Sequence, residues 1–309
     1  MTIANLNRTV GLEIEVNSHL GRDDAANAIN TEFHNRNIVQ NCVAEGYNHT
    51  TRRHWKVVPD SSLSSGFEVV APPLTLPEMK VQLQAVCAAL KTLGVRVTTE
   101  TGIHVHHDVR DLTGQQIGRA FATYATFQNE LSMMVAPSRR RAYYAQPLSW
   151  ERITENGTDK FQNDRRGYDG IEDKIRERVG GRYMTVNIEA VFAHGTIEFR
   201  QHQGSINAEK IFNWILITQS IVESAVQGTG RNLKPTSKIR AEGKPNAFKK
   251  RGEFARFRDT IAVAPYQNGI PLDGVIGDEY QPIRDTCNAY YVAAFRYFSK
   301  VSKKFAAAS

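Results

Sequence analysis

Acidic residues and histidines alternate with apolar residues in four segments of the sequence. The polar residues of these segments are Glu13 and Glu15, Glu68, His104 and His106, and Glu198 and Arg200. Side chains of a β-strand point alternately to its two faces, so this spacing places each set on one face of a strand. A solvated sheet face also alternates, but it typically carries Lys, Thr and Ser rather than acids and histidines on four strands. The pattern therefore predicts a polar face with a chemical role.

A divalent cation would explain why so many carboxylates share one face. Three or four carboxylates brought together without a cation would repel one another and raise their pKa values. Carboxylate oxygens with an occasional imidazole are typical ligands of Mg²⁺ or Mn²⁺. Cys42, Cys87 and Cys287 are too far apart in the sequence to predict a structural zinc site or a disulfide framework. The sequence thus predicts a site for Mg²⁺ or Mn²⁺.

Several arginines are candidates for contacts with an anion beside such a cation. Arg200 belongs to the alternating pattern itself, and its planar, permanently charged guanidinium suits phosphate oxygens. Arg139 and Arg182 are further candidates for phosphate contacts. The alternative for every arginine is a surface ion pair, and we prefer that interpretation for Arg140 and Arg141.

Hydrophobic periodicity predicts the elements that carry these residues. The predicted strands are residues 10–16, 55–60, 66–71, 95–109, 182–191 and 194–201, the last two joined by a tight turn at 193–195. The predicted helices are residues 23–35, 77–93, 113–135, 208–226 and 282–305, with a short helix at 170–179. This order of hairpins, strands and helices predicts an α+β fold built on an antiparallel sheet.

The composition is ordinary for a globular protein and excludes a wholly disordered or fibrous one. The 309 residues are 41% hydrophobic and 23% charged, which suffices for one large domain or two small ones. No apolar run is long enough to span a bilayer, and the first residues lack the charged start and apolar core of a secretion signal. With an odd number of cysteines, this predicts a reducing, cytoplasmic compartment and no membrane partner.

The net charge of +7 comes from one segment near the C-terminus. Residues 231–258 contain ten Lys or Arg, which only Glu242, Glu253 and Asp259 oppose up to position 260. The remainder of the chain is neutral. This distribution predicts either an anionic partner for the basic segment 231–258 or a solvated connector, with equal weight.

Five stretches of the sequence occur in the order found in one family of enzymes. Gly11-Leu12-Glu13-Ile14-Glu15 resembles the GxExE opening of the putative amidoligases, carboxylate–amine ligases related to glutamine synthetase and glutamate–cysteine ligase. The stretches that follow in the family order are Trp55–Leu63, Gly66–Pro73, Thr101–His106 and Gly195–His202. Together they cover about residues 8–226, and five stretches in order indicate the family but not the substrate.

The resemblance implies a fold, cofactors and a reaction. The implied fold is a glutamine-synthetase-like antiparallel or mixed β-sheet, with one metal-lined face and helices packed on the other. The implied cofactors are ATP and two or more Mg²⁺ ions, with Mn²⁺ as the alternative metal. Such enzymes transfer the γ-phosphoryl group of ATP to a carboxylate, and an amine then displaces phosphate to form an amide. Positioning and charge neutralisation are what phosphoryl transfer requires.

The resemblance also implies roles for individual residues. The implied metal ligands are Glu15 and Glu68 for one ion, and Glu13, His106 and Glu198 for the other. Arg200, with Glu198, would be catalytic, because it would stabilise the transferring phosphoryl group. Nucleotide contacts are expected from His104, Arg139 and Arg182, although His104 could instead support the metal ligands. Asp60 is equally consistent with a metal or substrate role and with a turn.

The tyrosines that follow the arginine run have two interpretations. Tyr143 and Tyr144 could stack on adenine, but packing against the protein is the preferred interpretation.

The resemblance divides the chain into two parts. Residues 1–230 are predicted to form the catalytic domain, with 137–181 as a loop-rich insertion. Residues 231–309 are predicted to contribute the basic segment and a C-terminal helix that packs on the catalytic domain.

Other functions and partners stay open at this point. A metal-dependent hydrolase or nuclease could use the same carboxylates on a polyanion held by residues 231–258. A binding protein with a degenerate site is a further alternative, against which the intact set of motif residues argues. For a ligase, we expect small-molecule or peptide carboxylate and amine substrates. A nucleic-acid-bound acceptor, as in modification of a phage nucleobase, and an oligomeric assembly are further expectations.

Overall fold

The polar residues lie on a seven-stranded sheet. A computed structural model of the chain describes residues 6–154 and 177–228, and positions 257, 266–267, 270–271, 294, 296–298 and 300–301. The strands of the sheet are β1 (Val10–Asn17), β2 (Cys42–Ala44), β3 (Trp55–Val58), β4 (Gly66–Val70), β5 (Gly102–Asp108), β6 (Val186–Asn187) and β7 (Thr196–Gln203). Two further short strands, β8 (Tyr266–Gln267) and β9 (Ile270–Pro271), pair with each other.

Helices pack against this sheet. They are α1 (Arg22–Asn35), α2 (Leu76–Thr92), α3 (Gly114–Thr126), α4 (Gln128–Ser132), α5 (Trp150–Thr154), α6 (Glu189–His194) and α7 (Ala208–Gln227), with a 3₁₀ helix at Pro137–Arg141. Within the described residues, no helix is long and apolar enough to cross a membrane.

The sheet is mixed, and its first strand lies near the centre. The strand order is β2-β3-β4-β1-β5-β7-β6. In the described part of the chain, β2 and β3 are parallel, and the other neighbouring pairs are antiparallel. The structure therefore confirms the predicted α+β class and the hairpin of β3 and β4, and adds β2, which was not predicted.

Alternation along the strands separates a core face from a polar face. Val10, Leu12, Ile14 and Val16 of β1 are fully buried, as the sequence pattern predicts. On β5 the core face carries His107, whose Nε2 lies 2.8 Å from Thr218 Oγ1 of α7. Helix α7 packs against β5, α2 and α3, so the side of the sheet opposite the acids is closed.

A buried ion pair joins the start of β1 to this helical layer. Arg8 precedes β1, and its Nε donates to the carboxylate of Glu223 on α7, which is fully buried. A second carboxylate, Asp111, accepts from Arg8 Nη1 at 2.7 Å. Arg8 and Glu223 are both buried and pair with each other. This ion pair therefore holds the start of β1 against α7.

The predicted strand at 182–191 is wrong over most of its length. Only Val186 and Asn187 pair in the sheet, and Glu189–His194 is a helix. Asn187 Oδ1 accepts the N–H of Glu189 at 2.9 Å, which satisfies a free donor at the start of α6. Gly195 then ends the helix with φ = 69°, a left-handed conformation that glycine adopts without strain. The tight turn predicted at 193–195 is therefore the end of a helix.

The long helix predicted at 113–135 is also interrupted. It begins at its predicted cap, Thr113, whose side chain accepts the N–H of Gln116. It breaks at Phe127, whose N–H is shared between the carbonyls of Thr123 and Tyr124, as in the tightened end of a helix. Phe127 is buried, and α4 begins directly after it at Gln128.

Three other predicted segments are described only in part. Of the short helix predicted at 170–179, residues 177–179 are helical, and the rest lies outside the described residues. The basic segment 231–258 lies outside them except for Phe257. The described positions of the predicted helix at 282–305 are helical. The division into domains at residue 230 stays a prediction.

Candidate active site

Cross-strand pairing brings the separately predicted polar residues together. Glu13 of β1 lies opposite His104 of β5, and Glu15 lies opposite Glu68 of β4. On the other side of β5, His106 lies opposite Glu198 of β7. Neighbouring strands are about 4.8 Å apart, so residues opposite one another on the same face are in contact range. The predicted acids and histidines therefore form one cluster.

His104 lies between the two glutamates of β1. Its Nδ1 donates to Glu13 Oε2 at 2.8 Å, and its Nε2 lies 3.4 Å from Glu15 Oε1. The second oxygen of Glu15 accepts the N–H of Gly102 at 2.5 Å. A Cβ atom at Gly102 would lie 3.2 Å from His104 Nε2 and 3.3 Å from Glu15 Oε2, so this crowded position favours glycine. The orientations of both carboxylates are thus fixed by neighbours on β5.

His106 directs one ring nitrogen at the acids and is held by the other. Its Nδ1 hydrogen-bonds to Thr196 Oγ1 at 3.0 Å. Its Nε2 is buried and makes no hydrogen bond in the described part of the chain. Glu13 Oε1 lies 3.4 Å and Glu198 Oε1 3.9 Å from this nitrogen. Because a metal-ligating histidine typically has its second nitrogen hydrogen-bonded, His106 has the arrangement expected of a ligand.

Glu198 is oriented by a residue that sequence analysis missed. Asn187 on β6 is buried, and its Nδ2 donates to Glu198 Oε2 at 2.6 Å. The other oxygen, Oε1, accepts from Arg200 Nη1 and faces His104 and His106. Flipping the Asn187 side-chain amide would break the hydrogen bond that Asn187 Oδ1 accepts from the Glu189 N–H. The signal for Asn187 was weak, because β6 is too short to alternate.

Three groups of side chains within the described residues could each hold a cation. Each group offers ligand atoms that lie within 4.8 Å of one another. The groups are Glu13, His106 and Glu198; Glu13, Glu68 and His104; and Glu15, Asp60 and Glu68. The first group is the set expected for one ion, and the third adds Asp60 to the pair expected for the other. Oxygen-rich donors with one imidazole suit Mg²⁺ or Mn²⁺, so these residues fit the metals that the sequence predicts.

The charges in the cluster are unevenly balanced. Burial, together with the charges of Glu13, Glu15 and other neighbouring acids, raises the pKa of Glu68 well above its usual range. Burial acts in the same direction on Glu13, but the charge of His106 and the bond from His104 hold its pKa well below the usual range. The positive charges of the site therefore lie near Glu13 and away from Glu68.

Burial and neighbouring charges also oppose one another in setting the pKa values of Glu198 on β7 and of His106 beside it. Burial opposes ionisation of Glu198, yet the charges of Arg200 and His106 lower its pKa. Burial also opposes charging of His106, but Glu13 and Glu198 raise its pKa above the ordinary value. At this end the acids and the bases compensate one another.

The three predicted anion-binding arginines are placed differently. Arg200 is partly buried beside Glu198, and its Nε also reaches the carbonyl of Tyr144 at 3.5 Å. Arg139 is 5% exposed, and it donates to the backbone carbonyls of Arg200 at 2.9 Å and Gln201 at 3.4 Å. Arg182 is exposed at the rim, with its guanidinium carbon 5.0 Å from the centre of the Tyr183 ring. All three line the same cleft as the acidic cluster.

Two clefts meet at the cluster. The larger cleft has a volume of about 530 Å³ and is lined by the acids, by His104 and His106 of β5 and by the three arginines. The smaller cleft, of about 310 Å³, is lined by residues 48–52 and by Lys56, Asp108 and Arg110. Glu13, Glu68 and His106 line both clefts. Volumes of several hundred Å³ are those of small-molecule sites, so two ligands could approach the cluster from different sides.

A sheet that gathers carboxylates, histidines and an arginine in one cleft defines an α+β protein with a candidate active site. The family model described as "Putative amidoligase enzyme" matches residues 6–222. The chain belongs to this ligase family, which confirms the resemblance drawn from the five sequence stretches.

The chain is also similar in fold to solved structures. The crystal structure of the complex between the prokaryotic ubiquitin-like protein Pup and its ligase PafA matches with a TM-score of 0.45 and 10% sequence identity. The match covers 97% of this chain and 64% of that chain, so the present chain spans just under two thirds of the other's length. None of the curated proteins matches the sequence.

Proposed function

We propose that the protein is an ATP- and Mg²⁺-dependent ligase that forms an amide bond between a carboxylate and an amine through an acyl phosphate. The observation that carries this proposal is the strand register, which gathers Glu13, Glu15, Glu68, His106 and Glu198 beside Arg200 in a member of an amidoligase family. A glutamine-synthetase-like sheet with a metal-lined face is part of the same proposal.

Two metal sites are proposed within the cluster. Glu13, His106 and Glu198 would hold one Mg²⁺ ion, and Glu15 and Glu68, with Asp60, would hold another. Bound Mg²⁺ would neutralise phosphate charge during transfer. The raised pKa of Glu68 supports this assignment, because the acid lies among like charges that a cation would compensate. His104 bridges Glu13 and Glu15, which supports a role in holding ligands rather than contacting nucleotide.

The larger cleft is the proposed site for the ATP phosphates, since Arg139, Arg182 and Arg200 all line it. Of these, Arg200 lies closest to the cluster, through its bond to Glu198, and is proposed to stabilise the transferring γ-phosphoryl group. Arg139 already serves two backbone carbonyls, so its proposed contribution is to hold Arg200 in place as well as to add positive charge. The carboxylate and amine substrates would enter through the smaller cleft.

The proposed reaction has two steps. A carboxylate oxygen of the substrate attacks the γ-phosphorus of ATP, and the bond to the β-phosphate oxygen breaks to release ADP. The amine nitrogen then attacks the carbonyl carbon of the acyl phosphate, loses a proton, and displaces inorganic phosphate. Each turnover therefore consumes one ATP and yields an amide lighter by one water than the two substrates together.

ADP release would test this proposal directly. ATP and Mg²⁺ are supplied with a mixed pool of carboxylates and amines, the products are read by mass spectrometry, and Arg200→Ala is the control. We expect ADP release that needs both substrates, an amide product, and loss of both signals in the variant. Absence of ATP binding in a thermal-shift assay with Mg²⁺ would overturn the ligase proposal.

A metal-dependent hydrolase or nuclease is the second candidate, favoured by the charge of residues 231–258. In that case the basic segment would hold a polyanion, and replacing Lys249, Lys250 and Arg251 by Gln would weaken binding and flatten its salt dependence. The same measurement tests a nucleic-acid-bound acceptor for the ligase. An unchanged salt response in the triple variant would remove both ideas.

A further inference from the structure

Three tyrosines form an exposed aromatic cluster, defined as Tyr143, Tyr144 and Tyr183. The Tyr143 ring lies 5.1 Å from that of Tyr144 and 5.6 Å from that of Tyr183, and the Tyr144 and Tyr183 rings are 5.2 Å apart. Tyr143 is nevertheless 65% and Tyr144 47% exposed. Tyr143 and Tyr144 thus pack against each other and against Tyr183, but they leave aromatic surface in solvent.

This cluster lies at one end of the larger cleft. Tyr144 and Tyr183 line the cleft together with Arg182, Arg139 and Arg200. Arg182 Nη2 donates to the hydroxyl of Tyr183 at 3.0 Å, and Arg200 Nε reaches the carbonyl of Tyr144 at 3.5 Å. Exposed aromatic surface and guanidinium groups are thus adjacent within one cleft.

We propose that the exposed ring of Tyr144, braced by Tyr143 and Tyr183, is the stacking surface for the purine base of the nucleotide. This inference rests on the proposed function, because it assigns a position to the base of the same ATP. A nucleotide is an anion joined to a flat aromatic ring, and the cleft offers cations and an aromatic face side by side. Stacking on tyrosine is tolerant of base identity, since it uses the π-face alone.

The test compares two ligands that share the phosphates and differ in the base. Isothermal titration calorimetry in the presence of Mg²⁺ measures the Kd of ATP and of inorganic tripolyphosphate for the full chain. Tyr144→Ala removes the ring, and Tyr144→Phe retains it. Tyr47→Ala is the matched control, because Tyr47 is 66% exposed and lines the same cleft from the segment between β2 and β3, at the other edge of the sheet.

We expect Tyr144→Ala to raise the Kd of ATP by about 5- to 150-fold, the range of one base–aromatic stack. The Kd of tripolyphosphate should stay unchanged in this variant. Tyr144→Phe and Tyr47→Ala should keep wild-type affinity for both ligands. Circular dichroism serves as the check on folding, and an exposed side chain should be replaceable without loss of structure.

Other outcomes would overturn the inference. An equal loss of ATP and tripolyphosphate affinity in Tyr144→Ala would make the residue a support for Arg200 rather than a base site. Unchanged ATP affinity in Tyr144→Ala, or a loss in Tyr47→Ala instead, would put the base elsewhere and leave the ligase proposal intact. A Tyr144→Ala defect seen only in the Michaelis constant of an aromatic substrate would assign the ring to that substrate. If the wild-type protein bound neither ligand, both proposals would fail.

Discussion

Two glutamates of the same cluster should respond in opposite directions when their charge is removed. Without metal, Glu68→Gln should stabilise the protein, and Glu13→Gln should destabilise it. Glu68 lies among acids, whereas Glu13 is compensated by His104 and His106. Both substitutions preserve the shape of the side chain. The difference in stability between the two variants therefore reports the effect of the removed charges.

The expected magnitude follows from the spacing of the cluster. The ligand atoms of Glu15, Asp60 and Glu68 lie within 4.8 Å of one another, and two unit charges at that distance repel by about 3.5 kcal/mol at an effective dielectric constant of 20. Because Glu68 can take up a proton instead, the variant should gain less than this, about 1–3 kcal/mol. For a chain of 309 residues, that gain corresponds to a rise in Tm of about 2–5 °C. Glu13→Gln should lose a similar amount, about 1–3 kcal/mol, with its charged hydrogen bond.

The pH dependence has a definite sign for each variant. The raised pKa of Glu68 costs stability above the pKa of the unfolded chain, so the gain in Glu68→Gln should grow with pH and vanish below about pH 4. The lowered pKa of Glu13 contributes stability above the unfolded pKa, so the loss in Glu13→Gln should shrink as the solution is acidified.

Differential scanning fluorimetry from pH 4 to pH 8 in EDTA measures both variants. Adding Mg²⁺ should then raise the Tm of the wild type more than that of either variant, since each has lost a proposed ligand. Shifts of the same sign for Glu68→Gln and Glu13→Gln in EDTA would refute the reasoning about how charge is distributed in the cluster.

Three further predictions concern neighbouring residues. Asn187→Ala should remove the hydrogen bond that Asn187 donates to Glu198 Oε2. In a Mg²⁺ titration, the concentration for half-maximal activity should then rise about 10-fold or more. An unchanged Mg²⁺ requirement would contradict the role of Asn187 in orienting Glu198. Arg200→Lys should lose ADP release as Arg200→Ala does, because an ammonium group cannot replace a planar guanidinium. Turnover at the wild-type rate in Arg200→Lys would argue against phosphoryl stabilisation by Arg200. Arg8→Met should lower the free energy of unfolding by about 3–5 kcal/mol in urea titrations, because it removes the guanidinium that pairs with the buried carboxylate of Glu223. A neutral result would mean that the buried charge is neutralised by protonation.

The sequence was sufficient to predict which polar residues share a face. Alternation assigned Glu13 and Glu15 to one side of β1, and the structure has Leu12 and Ile14 fully buried on the other. Alternation carries no information on register, however, because a shift of two residues between strands keeps every face unchanged. That Glu13 lies opposite His104 therefore emerged only from the structure.

The errors in the predicted fold have local causes. Val186 and Ile188 are buried and alternate as in a strand, but the side chain of Asn187 begins a helix two residues later. Strand β2 has three residues, of which Cys42 is buried and Val43 is exposed, and so short a segment has no readable period. Helix α3 ends at Phe127, whose N–H bonds to the carbonyls of both Thr123 and Tyr124. The apolar pattern continues past this residue, so periodicity alone does not reveal the break.

The strand order also determines when the site becomes complete during synthesis. Strand β1 is made early, and its partners β4 and β5 are both in place by residue 108. A nascent chain of that length contains Glu13, Glu68 and His106, but it lacks Glu198 and Arg200, which follow about 90 residues later on β7. The ribosome-bound protein can therefore gather acids on a partial sheet long before it carries the arginine proposed for chemistry. The proposed site is therefore incomplete until β7, the last strand of the main sheet to be made, has been added.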